Sequence, residues 1–169
     1  DIADCRKSAA ADSVAARTAE LIPPGATVLV LGDTTYPLAT AAALEACYEP
    51  TWGAHRASTL AIPGNHDYVA GRTDDFLAYF GSGAASEGYF ARELDGWLVI
   101  GLDSHLSGDR LDQQYAWLEA TLAAQVLDGK TAGVARAVSV VENARPGFEE
   151  LLSTLHPHLG RARRIGLTG

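Results

Sequence analysis

The chain has 169 residues, enough for one domain with a buried core. Its net charge of −8, with no basic stripe, argues against nucleic acid as the main partner. No run reaches the ~18 to 20 consecutive apolar residues that a membrane span requires.

The first half of the chain alternates Ala-rich helical segments with short apolar strands. Residues 5–21 are predicted to form a helix with Val14, Thr18 and Leu21 on its buried face. A buried strand at residues 27–31 follows, and then a second helix at 38–48. The chain returns as a strand at residues 57–62, which Pro63 ends because proline does not continue a strand ladder.

The second half begins with a short amphipathic helix over residues 74–80. Two strand-like runs, 88–94 and 97–102, flank an Asp-Gly pair, which is a strong hairpin signal. The longest amphipathic helix is predicted from apolar residues at helical spacing: Leu111, Tyr115, Leu118, Leu122 and Val126. A strand at 134–141, a helix at 148–155 and a last strand at 164–167 complete the pattern.

Strands alternating with helices, with one hairpin, predict an α/β fold with mixed sheets. In such folds ligands bind in the crevice beyond the carboxyl ends of the strands. Asp33, Asn65 and Asp103 all lie just past predicted strand ends, and we place Asp1 with them. We therefore expect these polar side chains to converge on one site.

The polar residues at these strand ends are mostly oxygen donors, with one imidazole: Asp1, Asp33, Tyr36, Asn65 and His66. Carboxylates bind hard or borderline dications, and one carboxylate can bridge two of them. Two such ions can hold a hydroxide between them and clamp a phosphate in line. A histidine that binds no metal could then protonate the leaving alkoxide.

Each of these residues also has a plain structural interpretation. Asp33 can be a turn carboxylate, and Tyr36 a partly buried aromatic residue. Asn65 can be a turn residue in the left-handed conformation. His66 can be a hydrogen-bonded structural group. Their joint placement at strand ends favours the functional interpretation over four separate coincidences.

Three motifs carry a family resemblance: residues 1–3 (Asp-Ile-Ala), 32–36 (Gly-Asp-Thr-Thr-Tyr) and 64–67 (Gly-Asn-His-Asp). At these spacings they resemble three successive motifs of the calcineurin-like metallophosphoesterases. The Gly-Asp-x-x-Tyr form and the loop at 48–53 are most similar to the purple acid phosphatase branch. The resemblance covers most of residues 1–127.

The resemblance implies a four-layer αββα sandwich, in which helices flank two mixed sheets, with a binuclear metal centre at the strand ends. It implies that Asp1 and Tyr36 bind the first metal, that Asp33 bridges both and that Asn65 binds the second. The metals would be iron paired with zinc, manganese or iron. His66 would bind no metal and would act as general acid. The implied reaction is hydrolysis of phosphomonoesters, or of phosphodiesters in some members, by a metal-bridging hydroxide.

The chain departs from the family pattern in its last third. The family has a His-His-Pro after a later strand, where this chain has Glu142 and Asn143 and no histidine. The family pattern also includes Gly-His-x-His after the last strand. In this chain that motif would begin at Gly169. Either Glu142 or Asn143 is a candidate replacement ligand, whereas we interpret His105, His156 and His158 as surface or structural residues. The departure motivates an alternative function, a degenerate phosphoesterase fold that binds a ligand or partner without catalysis.

We expect the chain to be a single domain and a fragment of a longer protein, cut at both ends, because it starts at Asp1 and contains no Met. Cys5 and Cys47 permit one disulfide, which would fit an exported protein. The sequence permits two buried free thiols equally well. We also expect Asp67 to lie behind the ligands and to orient His66.

Overall fold

The computed structural model of the chain describes residues 1–127, 138–140 and 165–167, with side chains as far as residue 122. The chain is mixed α/β and divides into two compact units, Asp1–Gly88 and Tyr89–Gly169. Each unit is described by itself below. The single domain and the four-layer sandwich stay predictions.

The first unit is built on a two-stranded parallel sheet. Strand β1 (Val28–Val30) pairs with β2 (Thr59–Ala61), so that Val30 lies opposite Ala61. Both strands are shorter than the predicted runs, and a 3₁₀ turn over Trp52–Ser58 replaces the start of the second. Because the strands are parallel, the residues that follow them leave from the same edge of the sheet.

Helix α1 (Val14–Ala19) is much shorter than the predicted 5–21, and its predicted buried face is wrong. It starts after Ser13, whose hydroxyl accepts a hydrogen bond from the Ala16 amide at 3.2 Å. Val14 is 66% exposed and Leu21 is 79% exposed, whereas the small residues Ala15 and Ala19 are buried. Alanine allows the Trp52 side chain to approach closely, and its Nε1 donates to the Ala15 carbonyl at 3.1 Å.

The other helices of the first unit cover the sheet with large apolar side chains. Helix α2 (Ala41–Ala43) continues into a π-helical turn over Leu44–Tyr48, and α3 spans Asp74–Phe80 as predicted. The largest apolar side chains in this core are Leu44, Tyr48, Phe76 and Phe80. The Tyr48 and Phe80 rings pack edge to face with centroids 5.6 Å apart.

The Tyr48 hydroxyl offers a test of this core. It is buried without a hydrogen-bond partner among the described residues, and burial raises the pKa of Tyr48. A buried unsatisfied polar group costs about 1–3 kcal/mol. We therefore expect Tyr48→Phe to leave the free energy of unfolding unchanged or to raise it by about 1 kcal/mol, measured by urea denaturation.

Tyr79→Phe is the matched control for this substitution, since the Tyr79 hydroxyl donates to the Glu49 carboxylate. Removing that hydroxyl should lower the free energy of unfolding. A clear loss of stability in Tyr48→Phe, equal to that of Tyr79→Phe, would show that the Tyr48 hydroxyl does have a partner.

The second unit contains a mixed sheet in the order β3-β4-β5-β6. The predicted hairpin is confirmed: β3 (Phe90–Leu94) and β4 (Trp97–Gly101) are antiparallel, and Asp95 and Gly96 have φ of +47° and +80°. Positive φ at both central residues matches the twist of the flanking strands. The parallel strands β5 (Val138–Val140) and β6 (Ile165–Leu167) confirm the two later strand predictions.

Helix α4 (Asp109–Leu127) confirms the predicted long amphipathic helix. Its Leu118 and Leu122 pack with the β4 residues Leu98 and Ile100, as the spacing predicts. Among the described residues, no helix combines the length and the apolar character that a membrane crossing requires. The remaining predictions fall outside the described residues, namely the helix at 148–155, Glu142, Asn143, His156, His158 and Gly169.

Candidate functional site

The loop after β1 turns sharply and presents a carboxylate. Gly32 has a φ of +91°, and Asp33 follows with a φ of +52°. Aspartate adopts this left-handed conformation more readily than most residues that carry a Cβ, although it is uncommon. The Asp33 side chain remains 16% exposed, so it can reach a ligand from solvent.

The N-terminal segment lies alongside this loop and brings Asp1 to it. Ala3 and Thr35 form a parallel bridge. The Ile2 amide donates to the Asp33 carbonyl at 2.9 Å, and the Ala3 amide donates to the Thr34 carbonyl at 3.0 Å. These backbone bonds place Asp1 beside Asp33 although the two are far apart in the chain.

The loop after β2 is a single 3₁₀ turn over Asn65–Asp67. The His66 amide donates to Asp33 Oδ1 at 2.9 Å, which joins this loop to the one after β1. Asn65 is exposed, and its structural interpretation as a left-handed turn residue is wrong. Asp33 adopts that conformation instead, with a φ of +52° directly after Gly32.

Three of the predicted site residues meet here: Asp1, Asp33 and His66. One donor atom from each lies within 4.8 Å of the other two. His66 Nδ1 is 2.6 Å from Asp1 Oδ1 and 3.9 Å from Asp33 Oδ2. Two carboxylates and an imidazole suit a borderline divalent cation. The two carboxylates offer donors for one ion, and the imidazole lies close enough to be either a third ligand or a proton donor beside it.

The Tyr36 ring lies against the cluster. Its described contacts do not bear on whether its hydroxyl binds a metal. Its ring meets the His66 ring edge to face at 5.2 Å, and the Arg6 guanidinium lies 3.9 Å above its centre. Arg6 also donates to Asp4 at 2.7 and 2.9 Å, which holds the pKa of that carboxyl well below its usual range. Tyr36 and Asn65 as metal ligands stay predictions.

Asp67 has a role that the sequence interpretation missed. Its side chain is fully buried, and its carboxylate accepts hydrogen bonds from the amides of Asp33, Thr34 and Gly64 and from the Thr34 hydroxyl. Burial raises the pKa of the Asp67 carboxyl, and these donors counteract part of the increase. These bonds join Asp67 to the backbone of both loops, and its orientation of the His66 ring stays a prediction.

Asp103 lies in the second unit. Its amide donates to Gln114 Oε1 at 2.8 Å, and Gln114 Nε2 returns a bond to its carbonyl at 3.1 Å. The His105 amide donates to Asp103 Oδ1 at 2.8 Å. The convergence of Asp103 with the residues of the first unit stays a prediction.

The predicted disulfide joins Cys5 to Cys47, with their Cα atoms 5.8 Å apart, so the alternative of two free thiols is wrong. It ties the segment that carries Asp1 to the π-helical turn of the first unit.

Comparison with known proteins adds a short similarity. A 40-residue stretch, 21% of this chain, is 50% identical to an uncharacterized protein in the mutB 3′ region of Streptomyces virginiae. The match covers 43% of the length of that protein, less than half. No family model matches the chain, and no solved structure matches it.

Proposed function

We propose that this chain is a metal-dependent phosphoesterase domain of the calcineurin-like type that hydrolyses phosphomonoesters. The observation that supports the proposal best is the meeting of Asp1, Asp33 and His66 donors within 4.8 Å of one another. These residues come from three separate segments, each of which carries one of the three family-like motifs.

In such a site, some side chains would bind metal and one would transfer a proton. Asp1 and Asp33 would hold the metal through their carboxylates. Tyr36 and Asn65 would add donors for a pair of ions, iron with zinc, manganese or iron. When bound, the metals supply an activated water and neutralise charge on the phosphate. His66 donates a proton to the leaving oxygen, and its contact with Asp1 at 2.6 Å orients the ring.

A second candidate function is ligand binding without hydrolysis. It is supported by the chain's departure from the family pattern at Glu142 and Asn143. Either function would operate outside the cytoplasm, because the Cys5–Cys47 disulfide is typical of oxidising compartments. Phosphorylated small molecules are the substrate class for the enzyme and the ligand class for the degenerate form.

Metal content and phosphatase activity separate these candidates. We expect the purified chain to retain metal by elemental analysis and to hydrolyse 4-nitrophenyl phosphate, with loss of activity on chelation and recovery on adding Mn²⁺ or Zn²⁺. Metal retention without hydrolysis would favour the binding function. If the chain retains no metal and binds none that is added, the phosphoesterase function is contradicted.

His66→Gln tests the role given to His66. A general acid contributes about 10²- to 10⁴-fold to the rate, so kcat should fall by that factor while metal affinity stays unchanged. The measurement is steady-state hydrolysis of 4-nitrophenyl phosphate alongside calorimetric titration with Mn²⁺. A parallel loss of metal affinity would mean that His66 is itself a ligand, as its place beside Asp1 and Asp33 also permits.

A further inference from the structure

We infer that Asp67 is a positioning residue, which sets the metal affinity of the site by holding the backbone of Asp33. The inference rests on the proposed function where it concerns metal. The hydrogen bonds that support the inference are made within the protein and involve no metal.

The Asp67 carboxylate cross-links the two loops that carry the site. Oδ2 accepts from the Asp33 amide at 2.7 Å and from the Gly64 amide at 2.8 Å. Oδ1 accepts from the Thr34 amide at 3.1 Å and from the Thr34 hydroxyl. An ionised carboxylate offers about four lone-pair positions, and four donors fill them.

The backbone of Asp33 needs this support. Its φ of +52° is a left-handed conformation that costs free energy for a residue with a Cβ, even for aspartate, so surrounding contacts help to hold it. The bond from the Asp33 amide to Asp67 fixes the peptide immediately before that strained residue. The Asp33 side chain then accepts from the His66 amide at 2.9 Å, so the two loops are joined in both directions.

The Asp33 backbone also determines where the Asp33 carboxylate lies relative to Asp1 and His66. If the Asp33 peptide rotates, its carboxylate moves away from Asp1 and His66, and the three donor atoms no longer lie within 4.8 Å. An amide at position 67 cannot replace the carboxylate, because its NH₂ group would face an N–H donor in either orientation.

The first experiment compares Asp67→Asn with the unsubstituted chain by calorimetric titration with Mn²⁺. We expect affinity to fall on the order of 10- to 100-fold, the range seen when a residue that supports a metal ligand is changed. Asp75→Asn is the matched control, because Asp75 Oδ2 also accepts a distant amide, that of Ala41 at 2.9 Å, and Asp75 is not one of the residues of the site. Its Mn²⁺ affinity should be unchanged.

Two further controls separate positioning from loss of stability. Leu44→Ala removes buried contacts from the same core and should lower thermal stability without changing the Mn²⁺ affinity of the folded chain. Thr34→Val removes one donor to Asp67 and should weaken Mn²⁺ binding, whereas Thr34→Ser keeps the hydroxyl and should restore it. The Thr34 pair decides the matter even if Asp67→Asn does not fold.

Amide hydrogen exchange in the metal-free chain gives a readout independent of the proposed function. The Asp33 and Gly64 amides should exchange faster in Asp67→Asn than in Asp75→Asn. Wild-type Mn²⁺ affinity in Asp67→Asn, or in Thr34→Val, would overturn the inference and leave the proposed function standing. If the unsubstituted chain binds no Mn²⁺, the proposed function fails, and unchanged exchange at Asp33 and Gly64 would overturn the positioning role as well.

Discussion

Asp33→Asn should abolish metal binding and phosphatase activity together. A full charge next to a divalent cation is worth several kcal/mol, so we expect Mn²⁺ affinity to fall on the order of 100-fold or more. The substitution should leave the fold intact, because the remaining amide oxygen can still accept from the His66 amide, as Asp33 Oδ1 does at 2.9 Å. Calorimetric titration and 4-nitrophenyl phosphate hydrolysis measure the two effects.

Asp95→Asn is the matched control. Asp95 is also an aspartate with positive φ, +47°, but it lies in the hairpin turn of the second unit. Asn-Gly is favoured in such a turn, so this variant should fold normally and keep both metal binding and activity. Retention of either property in Asp33→Asn would remove Asp33 from the site and contradict the proposed function.

The largest expected effect on stability comes from the disulfide. Cys5 and Cys47 are separated by 42 residues, and closing a loop of that length stabilises the folded state by about 4 kcal/mol in the chain-entropy model. Replacing both cysteines with serine should therefore lower the free energy of unfolding by about that amount. Urea denaturation of the oxidised chain and of the double-serine chain measures the difference in the free energy of unfolding.

Reductant supplies the control for this prediction. Adding it to the oxidised chain should reproduce the loss, whereas adding it to the double-serine chain should change nothing. Asp1 should retain its position near Asp33 in the folded double-serine variant, because the bridge between Ala3 and Thr35 is independent of the disulfide. A stability loss below about 1 kcal/mol would mean that the unfolded chain gains little freedom on losing the link.

Local patterns in the sequence were sufficient for several elements. The hairpin follows from Asp95-Gly96 between two β-rich runs, and α3 follows from apolar spacing between Thr73 and Gly81. The face of α4 that packs on β4 follows from leucines at helical spacing. In each case the interacting residues are near in sequence or repeat with a regular period, so short-range preferences decide the structure.

The α1 prediction fails for the opposite reason. Periodicity selects Val14 and Leu21 as the buried face, yet alanines lie there instead. The partner of that face is Trp52, whose Nε1 also contacts Thr18 Oγ1 at 3.2 Å across 34 residues of sequence. The two small residues allow Trp52 to pack closely against the helix. The sequence of the helix alone does not reveal that Trp52 is its neighbour.

The site shows the same division. The sequence by itself determined which residues follow the strands, and so placed Asp33, His66 and Asp67 at the right loops. Only the tertiary structure decided that Asp33 takes a left-handed backbone, that Asp1 and His66 meet it, and that Asp67 holds the backbone of two loops. The side-chain bonds between the two loops link residues that are 33 or 34 positions apart in the chain. The contact between Asp1 and His66 spans 65 positions. The geometry of the bonds between the loops depends on the parallel pairing of β1 and β2, which brings the two loops to one edge.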